Sequence, residues 1–361
     1  MKILHLSHNG LPDMRVERAA RTGKKEGHCT FFAGPLVKST GLVGKSFDGY
    51  YKLPFNKFAN AKIPSHWVAL RRKMSQVLNS CHPDLVHAHN IVAAKLASEF
   101  SIPFVYDDHE YCSKQCKVKA RIWKPNKMYI KWLWSKWEKE ALRKASATIT
   151  VSKTIAEEHK RFCDYVFVTP NFPARAETES LKLSFNSDGY LSSVYVGGDC
   201  SNPTLIPHRN VESFLQIFSH DGVGTLTVIG DSNLPSSRNI KSVGFLAHPA
   251  MMKELTRHHI GLLPWKKHWF HRYCNPNKPY EYAHAGLLVL TVSDLPCVTR
   301  CLGEYAVVFN DLYELKELLL YYADNQDEVR EFRTKIRKFA LRELTWEKKC
   351  EPKILEAYSK T

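Results

Sequence analysis

The residues best suited to chemistry lie in the stretch NPNKPYEYAHAGLLVL, residues 275–290. Lys278 and Glu281 stand at the start of a predicted helix, Gly286 ends that helix, and the predicted strand LLVLTV follows. The N–H groups at a helix N-terminus favour an anion such as a diphosphate, and a carboxylate one turn later can bind paired hydroxyls such as those of a ribose. The same charges are also ordinary in the first turn of a surface helix. The stretch therefore indicates a nucleotide-sugar site but does not require one.

A second set of polar residues follows three predicted strands in the first half of the chain. These residues are Ser7–Gly10, His87–Asn90 and Asp107–Glu110. In open α/β sheets, ligands bind beyond the carboxyl ends of the strands. His89, Asn90, His109 and Glu110 are therefore candidates for a second binding surface. Asn9, Gly10 and Arg15 follow the first strand and could contact an acceptor or a donor, whereas Asp107 and Asp108 could simply end their strand.

Short apolar strands alternate with helical stretches throughout the chain. In the first half the strands are KILHLS, CTFFAG, DLVHAH, PFVYDD and ATITVS; in the second they are SVYVGG, TLTVIG, IKSVGF, HIGLLP, LLVLTV and YAVVF. Apolar strands separated by helices predict parallel sheets covered on both faces. We therefore expect an α/β fold with two facing Rossmann-like doubly wound domains, a cleft between them, and a C-terminal helix that crosses back.

The stretch from Pro170 to Tyr190 contains prolines and polar residues without sustained periodicity, which is typical of a linker. The predicted organisation is an N-terminal acceptor-side domain at 1–170, a hinge at 171–190, a nucleotide-sugar-binding domain at 191–343, and a returning helix at 344–361.

Composition limits the partners and cofactors. The 361 residues carry a formal net charge of +16, which favours anionic partners such as nucleotide phosphates, acidic lipids or nucleic acid. The ten cysteines include no C-x-x-C pair, and no D-x-D motif occurs, so we expect no metal site. No apolar run approaches the roughly 20 residues of a membrane span, and the N-terminus lacks a signal peptide's features. The prediction is a cytoplasmic protein with reduced thiols.

Several segments, taken in order, resemble the family 4 glycosyltransferases, which are retaining enzymes of the GT-B fold. In the first half the resemblance lies in HPDLVHAHN, IPFVYDDHE, WEKEALRKASATITVSKTIAEE and VFVTPNFP. In the second half it lies in VYVGG, HRNVESFLQIF, LTVIGD, VGFLAHPAMMKEL, GLLPW and NPNKPYEYAHAGLLVL. The resemblance implies a hexosyltransferase of glycan biosynthesis that moves a sugar from a nucleotide-diphosphate sugar to a glycan or lipid-linked acceptor. It implies no metal or other cofactor.

The resemblance, together with the position of Asn277 beside Lys278, indicates the roles of nine residues. His109 would act near the transferred sugar. Arg209, which would open the first helix of the second domain, and Lys278 would stabilise the diphosphate during catalysis. The donor would in addition be bound by Gly197, Gly198, Gly244, Phe245, Asn277 and Glu281. Within that set the paired glycines match a loop beneath the phosphates, residues 244–245 meet the base, and Glu281 binds the ribose hydroxyls.

The sequence departs from the family pattern at two places. Tyr273 stands where the family has the first of two glutamates, and Gly198 and Asp199 stand where a second phosphate-binding basic residue usually follows. The base and the sugar of the donor are therefore left open.

The basic, tryptophan-rich segment 121–144 is a separate feature. It holds four of the eight tryptophans, with eight basic and two acidic residues. At helical spacing, Trp123, Ile130, Trp134, Trp137 and Ala141 share one face, which is most often core. Met128 and Trp132 lie opposite, among Lys136, Lys139 and Arg143, a pattern that favours contact with an anionic membrane surface. We therefore expect peripheral attachment to the inner face of the cell membrane.

Two other functions are compatible with the sequence. A nucleotide-sugar epimerase uses similar domains but needs acidic general bases, for which Asp107, Asp108 and Glu110 are the candidates. A non-catalytic basic protein that binds polyanions would also explain the charge. Binding to nucleic acid is disfavoured because no recognised nucleic-acid motif occurs and the basic residues cluster with tryptophan.

Overall fold

The computed structural model describes residues 1–35, 46–56, 60, 63–115, 124–184, 190–198, 200–201, 209 and 211–361. These residues form two compact units. Unit 1 contains the described residues of 1–170 together with Lys349–Thr361, and unit 2 contains the described residues of 171–348. The C-terminal segment thus joins unit 1 after the chain has completed unit 2. The predicted α/β class with two Rossmann-like domains and a returning helix is confirmed.

Unit 1 is built on a parallel sheet of seven described strands. They are β1 (Lys2–Ser7), β2 (Cys29–Gly34), β3 (Gly49–Lys52), β4 (Leu85–His89), β5 (Phe104–Asp108), β6 (Ala147–Thr150) and β7 (Val166–Val168). Their order across the sheet is β3-β2-β1-β4-β5-β6-β7. The order reverses between β1 and β4, and ligands of such sheets bind at that reversal, beyond the carboxyl ends of the strands.

The described helices of unit 1 cover both faces of this sheet. They are α1 (Met14–Lys25), α2 (Pro64–Cys81), α3 (Asn90–Ala97), α4 (Cys112–Gln115), α5 (Lys124–Lys144) and α6 (Lys153–His159). A core of apolar side chains from α2, α3 and α5 packs on β4 and β5. All but one of the eight residues of α3 are buried, as expected of a helix between a sheet and a second helix.

Helix α5 has the two faces that the sequence predicts. Ile130, Trp134, Trp137 and Ala141 are buried, whereas Met128 is 76% and Trp132 59% exposed. Trp123, predicted for the buried face, lies outside the described residues. Nζ of Lys136 lies 5.7 Å from the ring centroid of Trp132. No helix in the described part of the chain has the length and apolar character needed to cross a membrane.

Unit 2 is built on a second parallel sheet, of six described strands. They are β8 (Ser192–Val196), β9 (Thr225–Ile229), β10 (Ile240–Gly244), β11 (Ile260–Leu263), β12 (Leu288–Val292) and β13 (Ala306–Phe309). Their order is β10-β9-β8-β11-β12-β13, so this sheet reverses between β8 and β11. The loops after these two strands are therefore where a ligand is expected.

The remaining described helices belong mainly to unit 2. They are α7 (Arg175–Thr178), α8 (Glu212–Leu215), α9 (His248–Leu255), α10 (Lys278–His284), α11 (Pro296–Leu302), α12 (Leu312–Asp324), α13 (Gln326–Glu343), α14 (Trp346–Lys349) and α15 (Glu351–Tyr358), with 3₁₀ turns at Gln216–Ser219, Trp269–Tyr273 and Gly303–Tyr305. Helix α15 is the exception. It packs on α1, β6 and β7 of unit 1 and buries Ile354, Ala357 and Tyr358 there.

Helix α10 is seated on the sheet of unit 2 by a close approach at Gly261. A Cβ at this position would lie 2.4 Å from the ring of Tyr282, so only glycine admits the ring. The Tyr282 hydroxyl then accepts a hydrogen bond from the N–H of Val196 at 3.0 Å. Because Val196 ends β8 and Gly261 lies in β11, Tyr282 fixes α10 across the reversal of the sheet.

The far end of α10 is held by a buried arginine. Arg333 of α13 donates to the carbonyl oxygens of Gly286 (2.8 Å), Thr256 (2.9 Å) and Ser184 (3.2 Å). Gly286 follows α10 with a left-handed φ of 71°, which ends the helix as the sequence predicts. One side chain thus joins three loops of unit 2.

We expect Arg333→Met to lower the free energy of unfolding by about 3 kcal/mol or more, because each buried carbonyl that loses its donor costs about 1–3 kcal/mol. Urea denaturation followed by tryptophan fluorescence measures the change. Arg330→Met is the matched control on the same helix. Arg330 forms an exposed pair with Asp327, so its loss should cost less than about 1 kcal/mol. Equal effects of the two variants would show that Arg333 does not hold these loops.

Candidate functional site

In unit 1 the candidate site lies where β4 and β5 end, beside the reversal of the sheet. His89 is the last residue of β4, and a φ of 66° at Asn90 turns the chain directly into α3. Asn is among the few side chains that tolerate the left-handed region. Nδ2 of Asn90 lies 2.9 Å from Nε2 of His109, which follows β5. The structure thus brings His109 and Asn90, both singled out in the sequence, into contact.

Asp107 is the buried centre of this region. Arg15 donates from Nε and Nη2 to its carboxylate at 2.8–3.1 Å. The same guanidinium donates to the carbonyl and the hydroxyl of Thr169 at 3.0 and 2.7 Å. Removing one partner of such a buried pair typically costs about 3–5 kcal/mol. Arg15 is therefore engaged with Asp107 and Thr169, and Asp107 does more than end its strand.

Three histidines face the carboxylate of Asp107. Its oxygens lie 3.5 Å from Nδ1 of His89, 3.6 Å from Nε2 of His87 and 3.7 Å from Nδ1 of His109. His87 and His89 alternate with Ala88 along β4, so both rings lie on one face of the sheet and pair across to β5. A single buried carboxylate is thus shared by one arginine and three imidazoles.

Burial and charge shift the pKa values of these groups in opposite directions. Burial would raise the pKa of Asp107, but Arg15 and then the histidines hold it well below its usual range. Burial, and next the neighbouring His87, lower the pKa of His89 to about 3. Burial also acts to lower the pKa of His109, but its contact with Asp107 outweighs burial, and the pKa is raised. His89 therefore stays neutral, whereas His109 keeps its second proton to a higher pH than an ordinary histidine does.

Two groups of buried side chains in unit 1 have spacing compatible with a metal ion. They are His5, His87 and His89, and His89, Asp107 and His109, each with ligand atoms within 4.8 Å of one another. The rings of His87 and His89 stack with only 16° between their planes, and those of His5 and His89 with 19°. Lone pairs in nearly parallel planes do not converge on one ion, which argues against the first group. In the second group the rings of His89 and His109 are tilted by 54°, but Asp107 is already paired with Arg15, whose charge opposes a further cation. The expectation of chemistry without a metal stays a prediction.

In unit 2 the two predicted phosphate-binding cations meet at Trp265. This buried residue follows β11 by two positions. Its ring centroid lies 4.5 Å from the guanidinium carbon of Arg209 and 5.7 Å from Nζ of Lys278. Lys278 also lies 5.8 Å from the ring of Tyr195 in β8. Aromatic faces stabilise cations by about 0.5–2 kcal/mol, so Trp265 gathers positive charge at the reversal of the sheet.

Arg209 was expected to open the first helix of this domain. In the structure it lies three residues before α8 and is fixed instead through its backbone, since its carbonyl accepts from the N–H of Lys266 at 2.9 Å. It therefore reaches the site from a loop beside Trp265.

Glu281 lies in the first turn of α10, one turn after Lys278, as the sequence predicts. Its Oε1 is 3.2 Å from Nε2 of His248, the first residue of α9. Both side chains are largely buried. Asn277 directly precedes α10, is exposed, and makes no side-chain capping hydrogen bond. The carboxylate is thus held in place by a histidine from a neighbouring helix.

The predicted glycine loop has a packing role. A Cβ at Gly198 would lie 2.8 Å from the carbonyl oxygen of Gly230, and the N–H of Gly197 donates to the carbonyl of Ile229 at 2.8 Å. Glycine at 198 therefore lets the loops after β8 and β9 touch. Gly244 takes a φ of 66°, and Phe245 beside it is 82% exposed. Their contacts with phosphates and base stay predictions.

Tyr273, at the position of the first family glutamate, is buried at the end of a 3₁₀ turn. Its hydroxyl accepts a hydrogen bond from Nη2 of Arg272 at 3.2 Å. The residue fills space and offers no carboxylate. Two residues of these sites, Trp265 and His248, were not identified from the sequence, and Asp107 was considered only as the end of its strand or as a general base of an epimerase. Their position just after a strand or at a helix start is the signal that could have found the first two.

Comparisons with known proteins identify the family. The chain matches the family described as Glycosyltransferase Family 4 over residues 22–172 and that described as glycosyl transferase-like over residues 209–352. No curated protein matches the chain by sequence.

Solved structures share the fold along the whole chain. Sucrose-phosphate synthase (tll1590) from Thermosynechococcus elongatus has a TM-score of 0.74 at 12% identity, covering 99% of this chain and 97% of that one. Anabaena Alr3699/HepE in complex with UDP and glucose has a TM-score of 0.71 at 14% identity, covering 100% of both chains. WaaG, a glycosyltransferase involved in lipopolysaccharide biosynthesis, has a TM-score of 0.64 at 15% identity, covering 94% and 95%. From the two matched families and this shared fold, we conclude that the chain belongs to the GT-B glycosyltransferases.

Proposed function

We propose that this glycosyltransferase is a hexosyltransferase that moves a sugar from a nucleotide-diphosphate sugar to a glycan or lipid-linked acceptor. The proposal rests on the positions of Arg209 and Lys278, whose charged groups both lie against the ring of Trp265. Lys278 lies one helical turn before Glu281. Two cations suit a diphosphate, and a carboxylate one turn away suits ribose hydroxyls. The donor therefore lies in unit 2, beyond the carboxyl ends of β8 and β11.

The two cations would also allow the proposed reaction to proceed without a metal ion. Cleaving the bond between sugar and phosphate builds negative charge on the leaving diphosphate. Either a bound divalent ion or preorganised cations can stabilise that charge. Arg209 and Lys278 are preorganised because a buried indole ring fixes where they lie. We therefore assign to them the stabilisation of the leaving group.

The solved relatives support a nucleotide-sugar donor. HepE has been solved with UDP, with UDP and glucose, and with UDP-glucose. Phe245, exposed beside Gly244, offers a flat apolar surface for a base. His109 in unit 1 is the group we assign to the transferred sugar, and retention of its configuration follows from the resemblance to family 4.

An epimerase of the same fold is the less favoured alternative, because it needs carboxylates that are free to move protons. Asp107 is paired with Arg15, and Asp108 lies 2.7 Å from Nε2 of His159. Both aspartates are buried, and neither is placed to act on a substrate. Glu110, the third candidate, is half-buried and accepts a weak hydrogen bond from the thiol of Cys112 at 3.8 Å.

The exposed face of α5 supports an acceptor at a membrane surface. Met128, Tyr129 and Trp132 are exposed on this helix, with Lys136 stacked on the tryptophan. Indole rings and cations both favour the headgroup region of a bilayer. WaaG, which shares the fold, is a glycosyltransferase involved in lipopolysaccharide biosynthesis. We therefore propose that α5 rests on the cytoplasmic face of an anionic membrane and presents unit 1 to a lipid-linked acceptor.

We expect Glu281→Ala to weaken UDP binding about tenfold or more, because hydrogen bonds to a charged group contribute about 1.5–3 kcal/mol. Isothermal titration calorimetry with UDP measures the dissociation constant. Glu304→Ala, which removes an exposed carboxylate of the same unit, is the matched control and should bind UDP as the wild type does. An unchanged dissociation constant for Glu281→Ala would remove this residue from the ribose site.

We expect the triple variant Trp132→Ala, Lys136→Glu and Lys139→Glu to bind phosphatidylglycerol-containing vesicles at least about 30-fold more weakly. Each basic residue near an anionic surface contributes about 1 kcal/mol, and the reversed charges add repulsion. Vesicle cosedimentation measures the loss, and UDP binding should be unchanged.

The matched control places the same changes on an exposed surface of unit 2, as Tyr313→Ala, Lys335→Glu and Lys338→Glu. This control should keep vesicle binding within about threefold of the wild type, because only salt-screened long-range charge is altered. If both triple variants lose binding equally, net charge is responsible and α5 is not the docking face.

A further inference from the structure

The buried histidines around Asp107 allow one consistent placement of their protons. An ionised carboxylate accepts hydrogen bonds and cannot donate them. The ring nitrogens that face Asp107 are Nε2 of His87, Nδ1 of His89 and Nδ1 of His109, at 3.5–3.7 Å. These contacts are longer than hydrogen bonds, but the negative charge of the carboxylate favours a proton on the nitrogen that faces it, and the opposite nitrogen of each neutral ring is then an acceptor.

Each of the opposite nitrogens has a donor that fits this assignment. Nδ1 of His87 lies 2.7 Å from the hydroxyl of Tyr358, and Nε2 of His89 lies 3.2 Å from Nδ1 of His5. Nε2 of His109 lies 2.9 Å from the side-chain amide nitrogen of Asn90. Tyr358 comes from α15, so the returning C-terminal helix closes one end of this network.

His109 differs from the other two histidines in its access to solvent. Its side chain is 13% exposed, whereas those of His87 and His89 are fully buried. A ligand can therefore reach part of the His109 ring, and it would bind Nε2 only by taking the place of the buried amide of Asn90. Which nitrogen of a histidine carries the proton is set by the hydrogen bond at the other nitrogen.

We propose that Asp107, clamped by Arg15, is a positioning residue that keeps the proton of His109 on Nδ1 and so leaves Nε2 as an acceptor for a substrate hydroxyl. The placement of the proton stands on the geometry of unit 1 alone. The identity of the hydroxyl, on the sugar or its acceptor, rests on the proposed function. In other enzymes, a buried aspartate next to Nδ1 of a catalytic histidine fixes the tautomer of that histidine in the same way.

The groups that act on the charge of His109 come from three elements. Asp107 precedes it in β5, Arg15 and Asp13 lie at the start of α1, and His87 and His89 face it from β4. Asp107 raises the pKa of His109 and Arg15 lowers it. Replacing the aspartate by asparagine removes the favourable charge and leaves the guanidinium, so the pKa of His109 must fall.

The test is nuclear magnetic resonance of the full chain labelled with ¹⁵N-histidine, with His109 assigned from its loss in His109→Gln. We expect the wild type to show the Nδ1–H tautomer at pH above the titration of His109. In Asp107→Asn the amide presents a donor or a neutral acceptor, and we expect a switch to Nε2–H. The titration midpoint of His109 should fall by about one pH unit or more, as for loss of an opposite charge within 4–6 Å.

Asp108→Asn is the matched control. Asp108 is the next residue, equally buried, and it pairs with His159 on the opposite face of the sheet. The same chemical change there should leave the tautomer of His109 as in the wild type. If Asp107→Asn does not fold, the wild-type spectrum alone decides, because an Nε2–H form of His109 in the wild type overturns the proposal. A folded Asp107→Asn protein that keeps the Nδ1–H form also overturns it.

The positioning role is separated from the proposed function by an activity measurement. We expect Asp107→Asn to lower the turnover of the nucleotide sugar that the wild type uses by more than tenfold, with KM changed less than threefold. Wild-type turnover in a variant whose tautomer has switched overturns the positioning role and leaves the glycosyltransferase assignment intact. A wild type that turns over no nucleotide sugar contradicts the proposed function, while the spectrum still reports on Asp107.

Discussion

Parallel strands joined by helical crossovers all point the same way, so each sheet gathers its carboxyl ends, and the loops after them, at a single edge. In both units the strand order reverses once, between β1 and β4 and between β8 and β11. Several of the candidate functional residues of this chain lie at those two places. His109 and Asn90 follow strands near the first reversal, and Trp265 gathers Arg209 and Lys278 at the second. Residues far apart in sequence become neighbours because of this constraint.

The two units hold their charges in different ways. Unit 1 buries the carboxylate of Asp107 together with the guanidinium of Arg15. Three histidine rings lie next to the same carboxylate and add little further charge. Burial in a low-dielectric interior makes such a network rigid, because each broken contact leaves a polar group unsatisfied. Unit 2 keeps its cations partly accessible on aromatic faces, where they can meet an anion. The first arrangement suits the orientation of one histidine, and the second suits binding of a phosphate-rich ligand.

Local sequence was sufficient for the elements that depend on near neighbours. Helix α10 and β12 follow from Lys278, the period of the apolar residues, and Gly286, whose φ of 71° ends the helix. The two faces of α5 follow equally from spacing. Strand β3 was not predicted, because its four residues alternate between half-buried and exposed and lack a continuous apolar run.

Contacts between distant residues could not be predicted in this way. Arg15 and Asp107 are 92 positions apart, and His87 meets Tyr358 across 271 positions. Arg15 therefore looked like a ligand contact, and Asp107 looked like the end of a strand. The partnership of His248 with Glu281 joins two helices through the fold in the same manner. The glycine at 198 matched a phosphate loop by resemblance, yet its closest neighbour is the carbonyl of Gly230.

The central claim is that unit 2 binds a nucleotide-diphosphate sugar through protein cations. The most direct measurement is the melting temperature of the protein against a panel of nucleotide diphosphates and nucleotide sugars, with and without EDTA. A ligand that binds only the folded state raises the melting temperature by mass action. We expect nucleotides that carry one particular base to raise the melting temperature, by the same amount with and without EDTA. Stabilisation that EDTA abolishes, or no shift with any member of the panel, would contradict it.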